Sequence, residues 1–501
     1  MAERSALLMR AISEELATRI IPELRSADAI ERATLAQLIL RNLAADLEVL
    51  PTVAPGHVAA FRASIDAALA AVPAASSTAQ AGDWRATLAA IHAETGSGVQ
   101  REITALRSLT SQVARELADA ERTGVASSKI EAALRQLAAT DKGWLIAYAA
   151  AAQPSAPPAP SSGGAAAADV PAAPRAAGSV TTEALTAYLR RTFQHTPQIA
   201  VTEVVPIPGG RSKKTFFVTI TGTDKLPEHA VIRQDYALKY EGTKVSDEFL
   251  PLSRLATKGL PVPRPWHLER AESEVGPPFI IVDRLKGSAP GTYFGLQQPC
   301  PEAFRDMAHV LAVLHRMAPA ELGFPASAGS TDTLEALVDR YERKWRDNAT
   351  RASPLIDYAY AWARRQARRE PGATVVVHGD AGPYNFLIDE DRLTAVLDWE
   401  FAHLGDPAED LGIMRVYAEN LLDWQEFLDL YVAAGGVLVP EHRVRLGMML
   451  QFLKGTTLVA ASGRNFEEGW TREFVKGASS FTGLRLIEQR IAQLLERFEA
   501  L

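Results

Sequence analysis

A single cysteine, Cys300, stands in 501 residues, between Pro299 and Pro301. One thiol excludes an internal disulfide and a cysteine-based zinc site, and a spectator thiol in a loop is the expectation. No run of 18 or more apolar residues occurs, so no membrane-spanning helix is expected. The opening stretch "MAERSALLMRAISEEL" lacks the apolar centre of a secretion signal, which makes the cytoplasm the expected location. Excess charge of one sign is also missing. A formal net charge of −7, with 23% charged and 47% hydrophobic residues, excludes a general nucleic-acid binder and describes a folded globular chain.

The length exceeds one ordinary core, and composition shows where to divide it. Residues 151–180, "AAQPSAPPAPSSGGAAAADVPAAPRAAGSV", hold almost no large apolar side chain and read as a flexible linker. Residues 1–150 before it read as an all-α bundle. Leu8, Ile12, Leu16, Ile20 and Leu24 form an apolar stripe that Pro22 interrupts. Leu35 to Leu47 form a second, and Phe61, Ile65 and Leu69 begin a third after Pro55-Gly56. Ile103 to Leu117 and Ile130 to Leu137 give two more, the last capped by Ser127 or Ser128. No ligand-like cluster accompanies these helices, so a structural role, a protein partner or self-association is expected of them.

Residues 181–501 change character. Short β-type runs, "FFVTIT", "HAVIRQDY" and "PFIIVDRL", occupy 181–285, with a helix, "SDEFLPLSRLATKGL", between the last two. Residues 286–501 are mostly helical. The fold class expected is therefore α+β: a small β-rich N-lobe and a large helical C-lobe, preceded by the all-α bundle.

The helical part is broken by "VVVHGDAGPYNFLIDEDRLTAVLDWEFAHLGDP". Asp380 follows an apolar strand and precedes Ala-Gly-Pro, so its carboxylate faces a loop. "FLID" and "LTAVLD" pair as a hairpin that brings Asn385 and Asp398 to one end. An amide oxygen and a carboxylate suit a hard cation such as Mg²⁺. Asp380 is then the base that accepts a proton from an incoming hydroxyl. Phosphoryl transfer asks for such parts: charge neutralisation, position and a base.

"HGDAGPYN", "LDWE" and "GDPAEDL" together resemble the aminoglycoside phosphotransferase and choline kinase superfamily, the protein-kinase-like small-molecule kinases, over about residues 182–501. The resemblance implies a bilobal protein-kinase-like fold. It makes Asp380 the catalytic base, Asn385 and Asp398 the Mg²⁺ ligands, and Glu400 a metal, substrate or hydrogen-bonding residue. His378, Asp406 and Asp410 would brace the loop. "GGRSKKTF" is similar to the family's GGxSNxTY loop, so Gly209, Gly210, Ser212 and Lys213 are candidates to cover the nucleotide phosphates. Where the family has a phosphate-pairing Lys, "AVIRQDY" puts Arg233, as in the branch related to acyl-CoA dehydrogenase family members ten and eleven. Arg pairs phosphates and carboxylates in a fork, and Glu248 is its candidate partner. Asp283 to Leu285 would present backbone to the base of the nucleotide. The implied cofactors are ATP, or another nucleoside triphosphate, and Mg²⁺. The implied acceptor is a small-molecule hydroxyl, such as a hydroxyacyl-CoA or another metabolic alcohol. A nucleotide-binding pseudokinase that acts as a scaffold through the N-terminal helical bundle, and an aminoglycoside-type antibiotic kinase, are the alternatives. Aromatics such as Trp345, Trp399 and Trp470 are candidates for the acceptor pocket.

Overall fold

The computed structural model describes residues 2–24, 27–71, 78–94, 98–123, 128–152, 180–207, 212–239, 243–293, 295–324, 334–369, 372–471 and 474–498. The helices are α1 (Ala2–Glu15), α2 (Ala27–Ala71), α3 (Thr78–Glu94), α4 (Val99–Arg122), α5 (Ser128–Ala152) and α6 (Thr182–Thr192). Then come β1 (Ala200–Ile207), β2 (Lys213–Thr221), β3 (His229–Asp235), α7 (Val245–Leu255), β4 (Pro265–Glu269), β5 (Phe279–Asp283), β6 (Gly291–Thr292) and β7 (Gly295–Leu296). The remainder is α8 (Pro301–Arg316), α9 (Leu334–Asn348), α10 (Pro354–Ala367), β8 (Val375–Val377), β9 (Phe386–Asp389), β10 (Arg392–Val396), β11 (His403–Gly405), α11 (Ala408–Ala418), α12 (Trp424–Ala433), α13 (Glu441–Glu467), α14 (Phe474–Ala478) and α15 (Leu484–Arg497). Residues 153–179, most of the expected linker, lie outside the described residues, as does Ser127.

These elements form two compact units that do not follow chain order. One joins Met1–Ala168 to Val338–Arg365 and Phe452–Leu501; the other joins Asp169–Leu337 to Gln366–Gln451.

In the first unit, α2 packs on α1, α4 and α5. Ile103, Leu106, Leu109, Val113 and Leu117 of α4 and Ile130, Leu134 and Leu137 of α5 are all buried, as their spacing predicts. Two expectations fail. The helix break at Pro55-Gly56 does not occur, because α2 runs through Pro51 and Pro55 for 45 residues. Both prolines sit on the exposed side, where water can serve the carbonyls they leave unbonded. Opposite them Leu50, Ala54, Phe61 and Ile65 stay buried, and that packing outweighs the local propensity. Nor is the α1 stripe a core face: Leu8 is 62% and Ile12 42% exposed, and Ala6 and Ser13 turn inward instead.

Buried ion pairs tie the three segments of this unit together. Arg107 Nε donates to Asp141 at 2.6 Å and its Nη2 reaches Glu488 at 3.2 Å. Arg115 Nε donates to the buried Asp357 at 2.9 Å, and Ser111 Oγ donates to the same carboxylate.

In the second unit, five antiparallel strands form a sheet in the order β1-β2-β3-β5-β4. One apolar core, with Phe216, Val218, Ile232, Phe279 and Ile281, packs against α6 on one side. A second core joins Val245, Leu252, Ile280 and Val282 to Phe304, Phe386, Trp399 and Leu411, so the sheet and the motif-bearing loops share a wall. Cys300 is fully buried there, and burial pushes its thiol up to about 11, as befits a spectator. Among the described residues no helix is long and apolar enough to cross a membrane.

Candidate active site

The site begins with three hydrophobic residues. Val375–Val377 form β8, paired with β11, and end at His378. Gly379 follows at φ +75°, and a Cβ there would meet the Phe401 carbonyl oxygen at 2.6 Å. Glycine is therefore required for the chain to turn Asp380 out of the strand. Asp410, at the start of α11, fixes this corner: it accepts the amides of His378 at 2.8 Å and Gly379 at 2.9 Å, and His315 Nε2 donates to it at 3.1 Å. Burial disfavours its charge, yet the hydrogen bonds from His315 and the His378 amide hold the carboxyl below its ordinary value. Asp406 pairs with Arg443 and caps α11 by accepting the Ala408 amide at 2.8 Å. His378 donates from Nε2 to the Leu397 carbonyl at 2.9 Å and accepts the Asp380 amide on Nδ1 at 3.2 Å, which fixes its neutral tautomer. Asp410, Asp406 and His378 thus stand in the bracing positions expected of them.

The hairpin β9–β10 closes through Glu390 and Asp391, with Glu390 at φ +56°. Its open end pairs Phe386 with Val396, and the Leu397 amide donates to the Asn385 carbonyl at 2.8 Å. Asn385 therefore lies opposite Leu397, with Asp398 the next residue along the chain. Asn385 Nδ2 donates to both the carbonyl and Oδ2 of Asp380, each at 2.9 Å. Its amide oxygen consequently faces away from that carboxylate. Asp398 holds φ +66° and ψ 58°, the left-handed region, which Asp tolerates better than most residues with a side chain.

From the sheet comes Arg233 of β3. Its Nε lies 2.8 Å from Glu248 of α7, and its Nη2 bonds Asp398. Burial pushes the Glu248 carboxyl up to about 7, against the pull of Arg233. Lys213, at the start of β2, is 2% exposed. Its ammonium lies 2.8 Å from Glu400 and donates to the Thr243 carbonyl at 2.9 Å. The contacts form three sets: Asp380 with Asn385, Arg233 with Glu248 and Asp398, and Lys213 with Glu400.

The other candidates are placed as follows. Gly209 and Gly210 lie outside the described residues, and the neighbouring Ser212 is half-buried. The Asp283 amide donates to the Arg264 carbonyl at 3.0 Å, and its carboxylate accepts Trp266 Nε1 at 2.6 Å, so its polar groups serve the β4–β5 pair. Leu285 is half-buried just beyond β5. Trp345 and Trp399 are fully buried core residues, whereas Trp470 is half-exposed. Tyr384 carries no role in the sequence reading although it lies inside "HGDAGPYN". Its hydroxyl donates to Asp380 Oδ1 at 2.8 Å. Its place one residue before Asn385 was the only available signal.

Among the described residues no group of three or more His, Cys, Asp or Glu is arranged to hold a metal unaided. A magnesium ion fits the donors that are present. Mg²⁺ rests on one or two carboxylates with phosphate oxygens completing its shell, and the Asp398 carboxylate and the Asn385 amide oxygen are donors of that kind.

Residues 203–446 match the sequence profile of the phosphotransferase enzyme family. That segment, which carries the antiparallel sheet and the HGD corner, is similar to this family. Among curated proteins, the chain is similar to acyl-CoA dehydrogenase family member 11 of Rattus norvegicus, 26% identical over 250 residues, 46% of this chain and 30% of that protein. Viomycin phosphotransferase of Streptomyces vinaceus is 27% identical over 216 residues, 39% of this chain and 72% of that protein. The chain spans less than a third of the length of the acyl-CoA dehydrogenase relatives. Among solved structures, macrolide 2′-phosphotransferase of Brachybacterium faecium is 18% identical with a TM-score of 0.41, covering 60% of this chain and 97% of that one.

Proposed function

We propose that the chain transfers the terminal phosphoryl group of a nucleoside triphosphate, ATP by preference, to a hydroxyl of a small molecule. The observation that supports this reading is the contact at the hairpin end. Asn385 hydrogen-bonds the Asp380 carboxylate, and its backbone pairs with Leu397, the residue before Asp398. The carboxylate read as the base is thereby tied to one of the two residues read as holding the cation.

In this reading Asp380 accepts the acceptor's hydroxyl proton as that oxygen bonds to the terminal phosphorus and the nucleoside diphosphate departs. Asn385 and Asp398 would hold magnesium, which neutralises phosphate charge when bound. Arg233 offers the Nη2 group now on Asp398 to phosphate oxygens, while Glu248 holds the neighbouring Nε. Lys213 acts differently from the sequence expectation. With its ammonium sealed among Glu400, Asp235 and Thr243, it fastens the edge of the phosphate-covering loop to the turn after Asp398.

The acceptor is an organic hydroxyl, with a hydroxyacyl-CoA or related metabolic alcohol ahead of an antibiotic. The likeness to acyl-CoA dehydrogenase family member 11 favours the former, and that to viomycin phosphotransferase supplies the competing class. The test is nucleoside-diphosphate release by the full chain with Mg²⁺ and ATP or GTP, over hydroxyacyl-CoA thioesters, simple alcohols and peptide antibiotics. Acceptor-dependent release from one class supports the reading. No release with any of them, despite nucleotide binding, favours a nucleotide-binding scaffold.

A further inference from the structure

The Asp380 carboxylate takes a side-chain hydrogen bond on each oxygen. Asn385 donates to Oδ2, which the transfer described above uses; Tyr384 donates to Oδ1 at 2.8 Å, which no step of it uses. The phenol is held there from several sides. Gln451 Nε2 donates to the phenolic oxygen at 2.7 Å. The ring lies 5.8 Å from that of Tyr293 and 6.2 Å from that of Tyr417. Tyr293 in turn donates its hydroxyl to the Gln451 carbonyl at 3.0 Å, and Tyr417 donates to the Tyr293 carbonyl at 2.6 Å.

The chain of donors has one direction. Because the tyrosine hydrogen points to Asp380, the glutamine must present its nitrogen. Its buried Oε1 is left without a hydrogen-bond partner. The phenolic oxygen is thereby kept on one lone-pair position of the base.

We infer that Tyr384 keeps water off Asp380, so that the site phosphorylates an organic hydroxyl instead of hydrolysing the nucleotide. The inference rests on the kinase reading above. A carboxylate that takes a proton from an alcohol also takes one from water. Hydrolysis would form a bond from the water oxygen to the terminal phosphorus and break the bond from that phosphorus to the bridging oxygen. The water proton would pass to Asp380, and nucleoside diphosphate and phosphate would leave. A rigid phenol fills the water-sized position on Oδ1. Removing its oxygen leaves Asp380 Oδ1 and Gln451 Nε2 facing a gap that water would enter, since both hydrogen-bond it.

The experiment measures phosphate release by the full chain with MgATP and no acceptor, for wild type, Tyr384→Phe, Tyr384→Leu and the double variant Tyr384→Phe/Asp380→Asn. Whichever Tyr384 variant keeps the wild-type melting temperature should hydrolyse about tenfold faster than wild type, a barrier change near 1.4 kcal/mol. The double variant should return to background. Hydrolysis unchanged or slowed in a folded Tyr384 variant overturns the inference. If wild type still transfers phosphate to an acceptor in that case, the kinase reading survives; if neither protein turns over nucleotide under any condition, both fall.

Discussion

Replacing Arg115 with Met should destabilise the first compact unit in a pH-dependent way. Arg115 donates to the carboxylate of Asp357, which is 2% exposed. Burial raises the Asp357 carboxyl above its ordinary value, and Arg115 is the strongest opposing influence. Removing one partner of a buried ion pair costs about 3–5 kcal/mol. Asp357 keeps donors from Ser111 and Trp345, which places the expected loss near the lower end, about 3 kcal/mol at pH 8. The sign of the pH effect follows from the raised carboxyl. Its contribution is lost as pH rises through the folded value, and the variant raises that value further. The deficit should therefore be largest at pH 8 and shrink toward pH 5, where the carboxyl in the variant takes up a proton. Urea melts of both proteins at the two pH values, followed by tryptophan emission, give the comparison. Adding Asp357→Asn should recover most of the loss. A deficit under about 1 kcal/mol, or one equal at both pH values, refutes the idea that this contact between α4 and α10 is a true buried ion pair.

Three other outcomes are expected. Gly379→Ala forces a side chain against the Phe401 carbonyl at a positive φ and should lower kcat at least tenfold while nucleotide Kd stays within about twofold, read by steady-state kinetics and titration calorimetry. Asp410→Ala removes the acceptor of two loop amides and of His315, and should reduce the melting temperature by several degrees along with activity, as calorimetry would show. Asp398→Ala should weaken Mg²⁺-dependent nucleotide binding at least tenfold and leave metal-free binding nearly unchanged, measured with a fluorescent nucleotide.

What the sequence made legible was local. The corner at Asp380 and the hairpin from Asn385 to Asp398 lie within some twenty residues. Strand alternation, a glycine and a two-residue turn suffice to predict the corner and the hairpin. The Arg233–Glu248 pair was legible through family resemblance, because strand and helix are separated by a loop whose course no periodicity records. Other features depend on tertiary packing. The fate of Lys213 is decided by Glu400, far along the chain, and nothing near Lys213 announces a sealed ammonium. Tyr384 is held by Gln451, a contact that no local pattern around Tyr384 records. The run of α2 through Pro51 and Pro55 turns on which side faces water, and the exposure of Leu8 and Ile12 shows that a regular stripe need not be a core. The grouping of the N-terminal helices with α10 and α15 in one unit rests on buried charges such as Asp357 and Glu488, which are ordinary helix residues until their partners are known.

The central claim is that Asp380 removes a proton from an organic hydroxyl at the moment of transfer. Its most direct test compares Asp380→Asn with wild type in acceptor-dependent nucleoside-diphosphate release, alongside nucleotide affinity measured on the same samples. The account predicts a fall in kcat of about 10²–10⁴-fold with nucleotide Kd unchanged; a variant that keeps wild-type turnover would contradict it.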